Sequence, residues 1–332
     1  MTTTLPQGYA IRRPTLDDIS VLTDLAVTNN LVTLGEQDIV EEDIRSELQT
    51  TDLERDAWLV LAPDGRIVAY ALLYSNDLGK FFGEITVHPD VRRRGLGTHL
   101  RELIEARANE RSGEVAPDAR ITLNGGIYHG DEASQRFVER AGMTHIRSFL
   151  RMEIDLTEPP PAPKWPAGLE PHTFVAGQER AVYEADDEAF QDHWGHAQRP
   201  YDEWLKWSVQ RADFDPTLWF LAMDGAEIAG AALCWFTPDL GENGMGWVGQ
   251  LWVRRPWRKR GLGLALLHHA FAEFYRRGVG RVALGVDSQN LTGATRLYER
   301  AGMTARHQWD SYQKELRPGV EYTTTALDGE QA

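Results

Sequence analysis

The sequence predicts a tandem α/β protein: two domains of one fold, each a mixed, mostly antiparallel sheet flanked by helices. Three observations carry this. A block in the first half returns in the second, Ala141-Gly142-Met143-Thr144 as Ala301-Gly302-Met303-Thr304, at an offset of 160 residues (301 − 141). Upstream, Arg120-Ile121-Thr122-Leu123 matches Arg281-Val282-Ala283-Leu284, VRRRGLG at 91–97 matches WRKRGLG at 257–263, and a hairpin turning at Asp64-Gly65 matches one turning at Asp224-Gly225. A repeat this long is a whole domain, far beyond a solenoid module. Five prolines fall within residues 157–166, a stretch that can be neither helix nor inner strand, so 157–168 reads as an extended linker. At 332 residues the chain also has the length of about two domains. The predicted division is 1–156, the linker 157–168, 169–317, and a loosely ordered tail 318–332 from which Tyr322 can dock.

Taken in order, the first half reads as helices over Leu16–Asn29 and Ile39–Gln49 and a hairpin over 57–74. A strand at 82–87, a helix at 96–108, a strand at 120–124, a helix at 132–140 and a strand at 145–155 follow. The second half repeats the scheme and holds the most informative stretch, 247–303. Its apolar run Trp247–Val253 empties through a cluster of bases into Gly261 and Gly263. The helix that follows begins near Leu262, carries Leu262, Leu266, Ala270 and Phe274 on one stripe, and stops at Gly278 after Arg276-Arg277. A strand that opens into a glycine-containing helix N-terminus leaves backbone N–H groups unpaired, and these favour an anion.

Composition narrows the partners. A formal net charge of −15 argues against general binding of nucleic acid or of an anionic membrane. The bases Arg254, Arg255, Arg258, Lys259 and Arg260 nevertheless crowd together, which a local anion explains. No run approaches the roughly 18 apolar residues of a membrane span, and the start MTTTLPQGYA lacks an export pattern, so a cytoplasmic protein is expected. The single cysteine, Cys234, lies inside the apolar run Ala231–Phe236 and is expected as a small buried hydrophobe on a strand.

The turn lacks the Gly-Lys-Ser/Thr ending of a nucleotide loop, and Leu266 stands where a dinucleotide fingerprint has its third glycine. What it has is Arg258, two residues, Gly261, one residue, Gly263. After it come Asn290, Ala294, Tyr298 and Gly302 along a second helix. These two blocks resemble the GNAT superfamily of N-acetyltransferases and, with the paired layout, its tandem mycothiol synthase-like members. The resemblance implies a cofactor, acetyl-coenzyme A, whose pyrophosphate sits on the turn and whose thioester arm lies between splayed fourth and fifth strands, here 247–253 and 281–286. It implies cofactor contacts from Leu251, Trp252, Val253, Arg258, Lys259, Arg260, Gly261, Leu262, Gly263, Leu264, Asn290 and Tyr298, and no metal. The first turn keeps Arg92, Gly95 and Gly97 as matching candidates.

Acetyl transfer to an amine, by direct attack in a ternary complex, needs a deprotonated amine, an amide donor for the carbonyl oxygen and an acid for the departing thiolate. The resemblance makes Tyr298 that acid. The first half has Val138 at the matching position, so it is expected to be catalytically degenerate, with a structural or pocket-shaping role. The base is open. Where many members carry glutamate on the fourth strand, the second half has Gln250 and the first has Glu84. Glu242, Asp287, Asp192 and His193 are the remaining candidates, beside solvent. The acidic, aromatic run Tyr183–Trp194 suggests that Asp192, His193 and Trp194 hold the acceptor, a small-molecule primary amine that is cationic before it reacts. A protein lysine or N-terminus as acceptor, or a non-catalytic acyl-coenzyme A sensor, are the alternatives, and a monomer or homodimer is expected.

Overall fold

The computed structural model describes residues 4–75, 78–191, 193, 194, 196, 198–211, 213–290 and 293–323. In chain order these form β1 (Ala10–Arg12), α1 (Ile19–Thr33), α2 (Glu41–Thr50), β2 (Ala57–Leu61), β3 (Ile67–Ser75), β4 (Lys80–Val87), α3 (Leu96–Arg111), β5 (Ile121–Tyr128), α4 (Glu132–Arg140) and β6 (Thr144–Asp155). Then follow β7 (Glu170–Thr173), α5 (Glu179–Phe190), α6 (Tyr201–Trp207), β8 (Trp219–Asp224), β9 (Glu227–Thr237), β10 (Met245–Val253), α7 (Leu262–Arg276), β11 (Arg281–Asp287), α8 (Ala294–Arg300) and β12 (Thr304–Arg317). The two mixed, mostly antiparallel sheets flanked by helices are those the sequence predicts.

The chain divides differently from the predicted halves. The first unit takes residues up to Arg147 and adds Trp309–Tyr322, while the second takes Ser148–Gln308 and the residues from Thr323. The cause is strand pairing. Residues 149–155 of β6 pair antiparallel with 281–287 of β11, and 309–317 of β12 pair antiparallel with 121–128 of β5. Each half thus gives its last strand to the other sheet. The first sheet runs β1-β2-β3-β4-β5-β12 and the second β6-β11-β10-β9-β8-β7. Only β4–β5 and β10–β11 are parallel within them. Between the exchanged strand and β7, residues 157–167 form no helix or strand, as their prolines require.

One further expectation is corrected, and the docking expected of Tyr322 is found. The strand expected at 120–124 continues to Tyr128 because Gly125 to Tyr128 find ladder partners in 309–312 of β12. The tail up to Tyr322 is docked on the first unit. Val320 bridges Ala119, Glu321 pairs with Arg120, and the Tyr322 hydroxyl donates to Asp118 Oδ2 at 2.9 Å.

In the second unit the packing follows from α7. Leu262, Leu266, Ala270 and Phe274 lie on one stripe and are all buried. Full burial of each large side chain contributes roughly 1.5–3 kcal/mol. Phe274 also explains a glycine across from it, since a Cβ at Gly246 would meet its ring at 2.7 Å. The helix ends at Gly278, at φ 79°, with the Val279 N–H returning to the Phe274 carbonyl at 3.0 Å. Among the described residues no helix is long and apolar enough to cross a membrane.

Candidate active site

At the end of β10 the chain makes a short helical turn over Arg255–Trp257, passes Lys259 at φ 61°, and enters α7 through Gly261 at φ 88°. Only glycine takes that last conformation without strain. The first bond of the helical ladder runs from the Ala265 N–H to the Gly261 carbonyl at 3.1 Å, so the N–H groups of Leu262, Gly263 and Leu264 lie ahead of it, aimed out of the helix end. A Cβ at Gly263 would sit 3.0 Å from Leu297, which sets how closely α8 approaches the turn. Arg258 also anchors the turn. Its Nε donates to the Val253 carbonyl at 3.0 Å and its Nη2 to the Ala189 carbonyl at 3.1 Å, fastening the turn to β10 and α5. Lys259 and Arg260 are exposed and supply the positive rim, Arg260 also donating to the Ala167 carbonyl.

The strands behind the turn splay. β10 and β11 pair only at Gly246↔Val282 and Trp247↔Ala283, and separate from there toward the turn. At the separation β10 carries a bulge, its register with β9 slipping between Val248 and Gln250. Gly249 is the extra residue, and a Cβ there would fall 1.6 Å from the Trp235 ring. A bulge leaves one residue's amide outside the ladder. Beyond it Leu251 packs with the α7 side, and Trp252, buried, with the α5 side.

Of the expected catalytic residues, Tyr298 is buried on α8 in the cluster around Leu266, Phe271 and Leu284. Burial pushes its phenol up to about 12, which keeps it a proton donor. Asn290 is half-buried just past β11, its N–H bonded to the Asp287 carbonyl. Asp287 itself accepts the Gln289 N–H at 2.9 Å and shapes that turn. Glu242 is exposed before the start of β10, next to Asn243, whose amide faces Gly280 at the paired end of the strands. The splay opens at the other end, so Glu242 is not brought to it. His193 and Trp194 are half-buried after α5, the His193 ring against Phe190 at 4.5 Å, and Asp192 lies outside the described residues.

What opens beside the bulge is a cavity of about 240 Å³ with Gly249 and Gln250 in its wall. Its other sides are mainly aromatic, from Trp204, Trp207, Phe214 and Trp235, with Arg211 held bidentate by Asp213 at 2.7 and 2.6 Å. Neither His193 nor Trp194 lines it. Cys234 reaches its wall from β9 but is buried and its thiol is pushed up by burial, consistent with a hydrophobe. One residue of this region escaped the sequence reading. Asp186 of α5 is only 8% exposed and lies beside the Trp204 and Gln250 side chains. Desolvation pushes its carboxyl up to about 7. The signal was present: Val182, Tyr183, Ala185, Asp186 and Ala189 fall on one helical stripe, which is the buried one.

A model described as the acetyltransferase (GNAT) family matches residues 29–143 and 180–303. The chain belongs to that family. A mycothiol acetyltransferase of Thermobispora bispora is 32% identical to it, over 74% of this chain and 80% of that protein. One of Kineococcus radiotolerans is 35% identical, over 74% and 77%. Among solved structures, a GCN5-related N-acetyltransferase from Sphaerobacter thermophilus matches with TM-score 0.83 and 37% identity, covering 97% of this chain and 100% of that one. The protein is therefore an acetyl-CoA-dependent N-acetyltransferase that acts on a small-molecule amine.

Both units carry the GNAT turn. In the first, Arg93 and Gly95 stand at φ 63° and 86° before α3, and the His99 N–H begins the ladder at Gly95. Gly97 packs against Phe137, and the Arg92 guanidinium turns inward to Asn29, as Arg258 does to its own backbone partners. Beside this turn the chemistry departs. Glu84 on β4 accepts the Tyr74 hydroxyl at 2.9 Å, and burial raises its carboxyl. Its charge and burial together push Glu47 of α2 up to about 8, desolvation being the larger cause. Tyr128 donates to Asp38 at 3.0 Å, and Val138 occupies α4 where α8 has Tyr298.

Proposed function

We propose that the second unit performs the transfer and that its acceptor is a mycothiol-type amine, a cysteinyl amino group on a sugar-like scaffold. The observation that carries this is the aromatic cavity at the Gly249 bulge, which adjoins the strand splay and is lined wholly by second-unit residues. Flat indole faces suit both sugar rings and a cationic amine, and the relatives named above are mycothiol acetyltransferases. Acetyl-CoA fits the turn through the N–H groups of Leu262, Gly263 and Leu264, with Lys259 and Arg260 on its rim, and it supplies an acetyl thioester.

In this reading the chain's residues act as follows. The cavity holds the amine with its lone pair toward the splay, and the Gly249 amide, outside the ladder, steadies the carbonyl oxygen. The ammonium gives one proton to solvent before attack; a C–N bond then forms as the C–S bond breaks, and the nitrogen sheds its second proton to water, which restores the proton that Tyr298 gives up. Tyr298 gives its phenolic proton to the departing thiolate. The first unit lacks that donor and is catalytically silent, with Arg92, Gly95 and Gly97 retained for coenzyme A. We place the enzyme in the cytoplasm as a monomer or homodimer, which light scattering checks. Thiol release should be measured with a panel of amines: a cysteinyl sugar amine, simple amino sugars, lysine peptides and free N-termini. Preferred turnover of the cysteinyl sugar amine is expected. Preference for lysine peptides would replace the acceptor assignment, and binding of acetyl-CoA without turnover of any amine would make the protein an acyl-CoA sensor.

A further inference from the structure

The second unit has no carboxylate at the strand position where the first has Glu84, but it has one directly behind that position. Asp186 projects from α5, more than nine-tenths buried, with the Gln250 and Trp204 side chains as its polar neighbours. Its Oδ1 is buried without a hydrogen-bond partner among the described residues. Gln250 and Trp204 also form part of the wall of the acceptor cavity, whereas Asp186 does not reach it. Gln250 therefore stands between a buried carboxylate and the cavity.

We propose that Asp186 is a positioning residue for acetyl transfer: as a carboxylate it accepts the Gln250 side-chain N–H and so turns Gln250 Oε1 toward the cavity, where that oxygen accepts an N–H of the acceptor amine. An amide has a donor end and an acceptor end, and the partner at one end decides what the other presents. When Asp186 is protonated it donates to Oε1, the amide turns over, and its NH₂ faces an amine that needs an acceptor. The charged groups around Asp186 are Asp187 on its own helix, which pairs with His196 at 3.3 Å, and Arg199 on the loop before α6. From α6 comes Trp204, from β10 Gln250, and from β9 the apolar Ala231 and Leu233 of the cluster that packs on α5. The balance of these, dominated by desolvation, sets the exchange near neutral pH.

This rests on the second unit being the active one, and two measurements separate the two claims. The first is the pH profile of kcat/KM for the best amine in wild type, Asp186→Asn, Gln250→Leu and the double variant. Wild type should show an inflection near pH 7 besides that of the amine, absent in Asp186→Asn. Gln250→Leu should lose on the order of tenfold in kcat/KM, mostly through KM, and adding Asp186→Asn to it should change nothing further. Acetyl-CoA affinity should stay constant throughout. The second needs no turnover: the Gln250 side-chain amide resonances should shift with a midpoint near pH 7 in wild type and stay fixed in Asp186→Asn. Additive effects in the double variant, or Gln250 resonances that ignore pH between 5 and 9 (about the range the titration must span), would overturn the proposal. Pairing of Gln250 with Asp186 by resonance in a protein that acetylates no amine would instead defeat the functional reading alone.

Discussion

In both units the residue two places before the helix glycine has a φ near 60°, Arg93 at 63° and Lys259 at 61°, and the glycine follows at 86° and 88°. The pockets beside these matching turns have diverged. The first holds a half-buried carboxylate pair, Glu47 and Glu84, with Tyr74 bonded to one of them, and no tyrosine on α4. The second holds Tyr298 on α8, an aromatic cavity, and an amide with a carboxylate behind it. Anion binding by backbone N–H groups depends on conformation, which two glycines secure, and so it survives side-chain divergence. Proton transfer depends on individual side chains and does not.

The largest test of this asymmetry is Tyr298→Phe. Turnover should fall on the order of a hundredfold or more, because only the proton donor is removed, while calorimetry should find acetyl-CoA affinity nearly unchanged. Full turnover in Tyr298→Phe, combined with its loss in Glu84→Gln, would reverse the roles of the units. Next come the turns. Gly261→Val forces a β-branched residue into left-handed backbone and should weaken acetyl-CoA binding and transfer by about tenfold or more, whereas Gly95→Val should leave transfer within a few-fold.

A smaller effect is expected of Gly249→Ala. The new methyl must displace the Trp235 ring, raising KM for the amine several-fold with cofactor affinity held. The smallest concerns stability. Glu47 is raised from 4.5 to about 8 on folding, so the folded state keeps its proton, and stability is lost as pH climbs between those values. Glu47→Gln removes that loss. Its melting transition should rise by a few degrees at pH 8 and hardly at all at pH 5, as scanning calorimetry would record; an equal rise at both would show that ionisation of Glu47 carries no cost.

The glycine turns and the α7 stripe were legible because each rests on local chemistry: periodicity, a left-handed glycine, a cationic last turn; the strand splay was available only through the family resemblance. The exchange of β6 and β12 was not. Both strands follow the same Ala-Gly-Met-Thr corner, Ala141–Thr144 and Ala301–Thr304, and carry equivalent patterns, so nothing local says which sheet each joins. The anchoring role of Arg258 was hidden for a related reason. An arginine beside a phosphate-binding turn looks alike in sequence whether its guanidinium points outward or, as here, into the Val253 and Ala189 carbonyls. Asp186 sat in an acidic run that resembled a solvated face, and only its place on the buried stripe distinguished it from Asp187 and Glu188.

The exchanged strand also fixes an order of events during synthesis. β5 is complete at Tyr128, but its neighbour in the sheet begins at Trp309, 181 residues later (309 − 128). At ribosomal speeds of roughly 5–20 residues per second, the first unit waits on the order of ten seconds or more with a bare β5 edge. It closes only when nearly the whole chain has emerged, so the half translated first is finished last. An unpaired edge exposed for that time is open to any strand that passes, and the strand most like its proper partner is β6, which the ribosome delivers first.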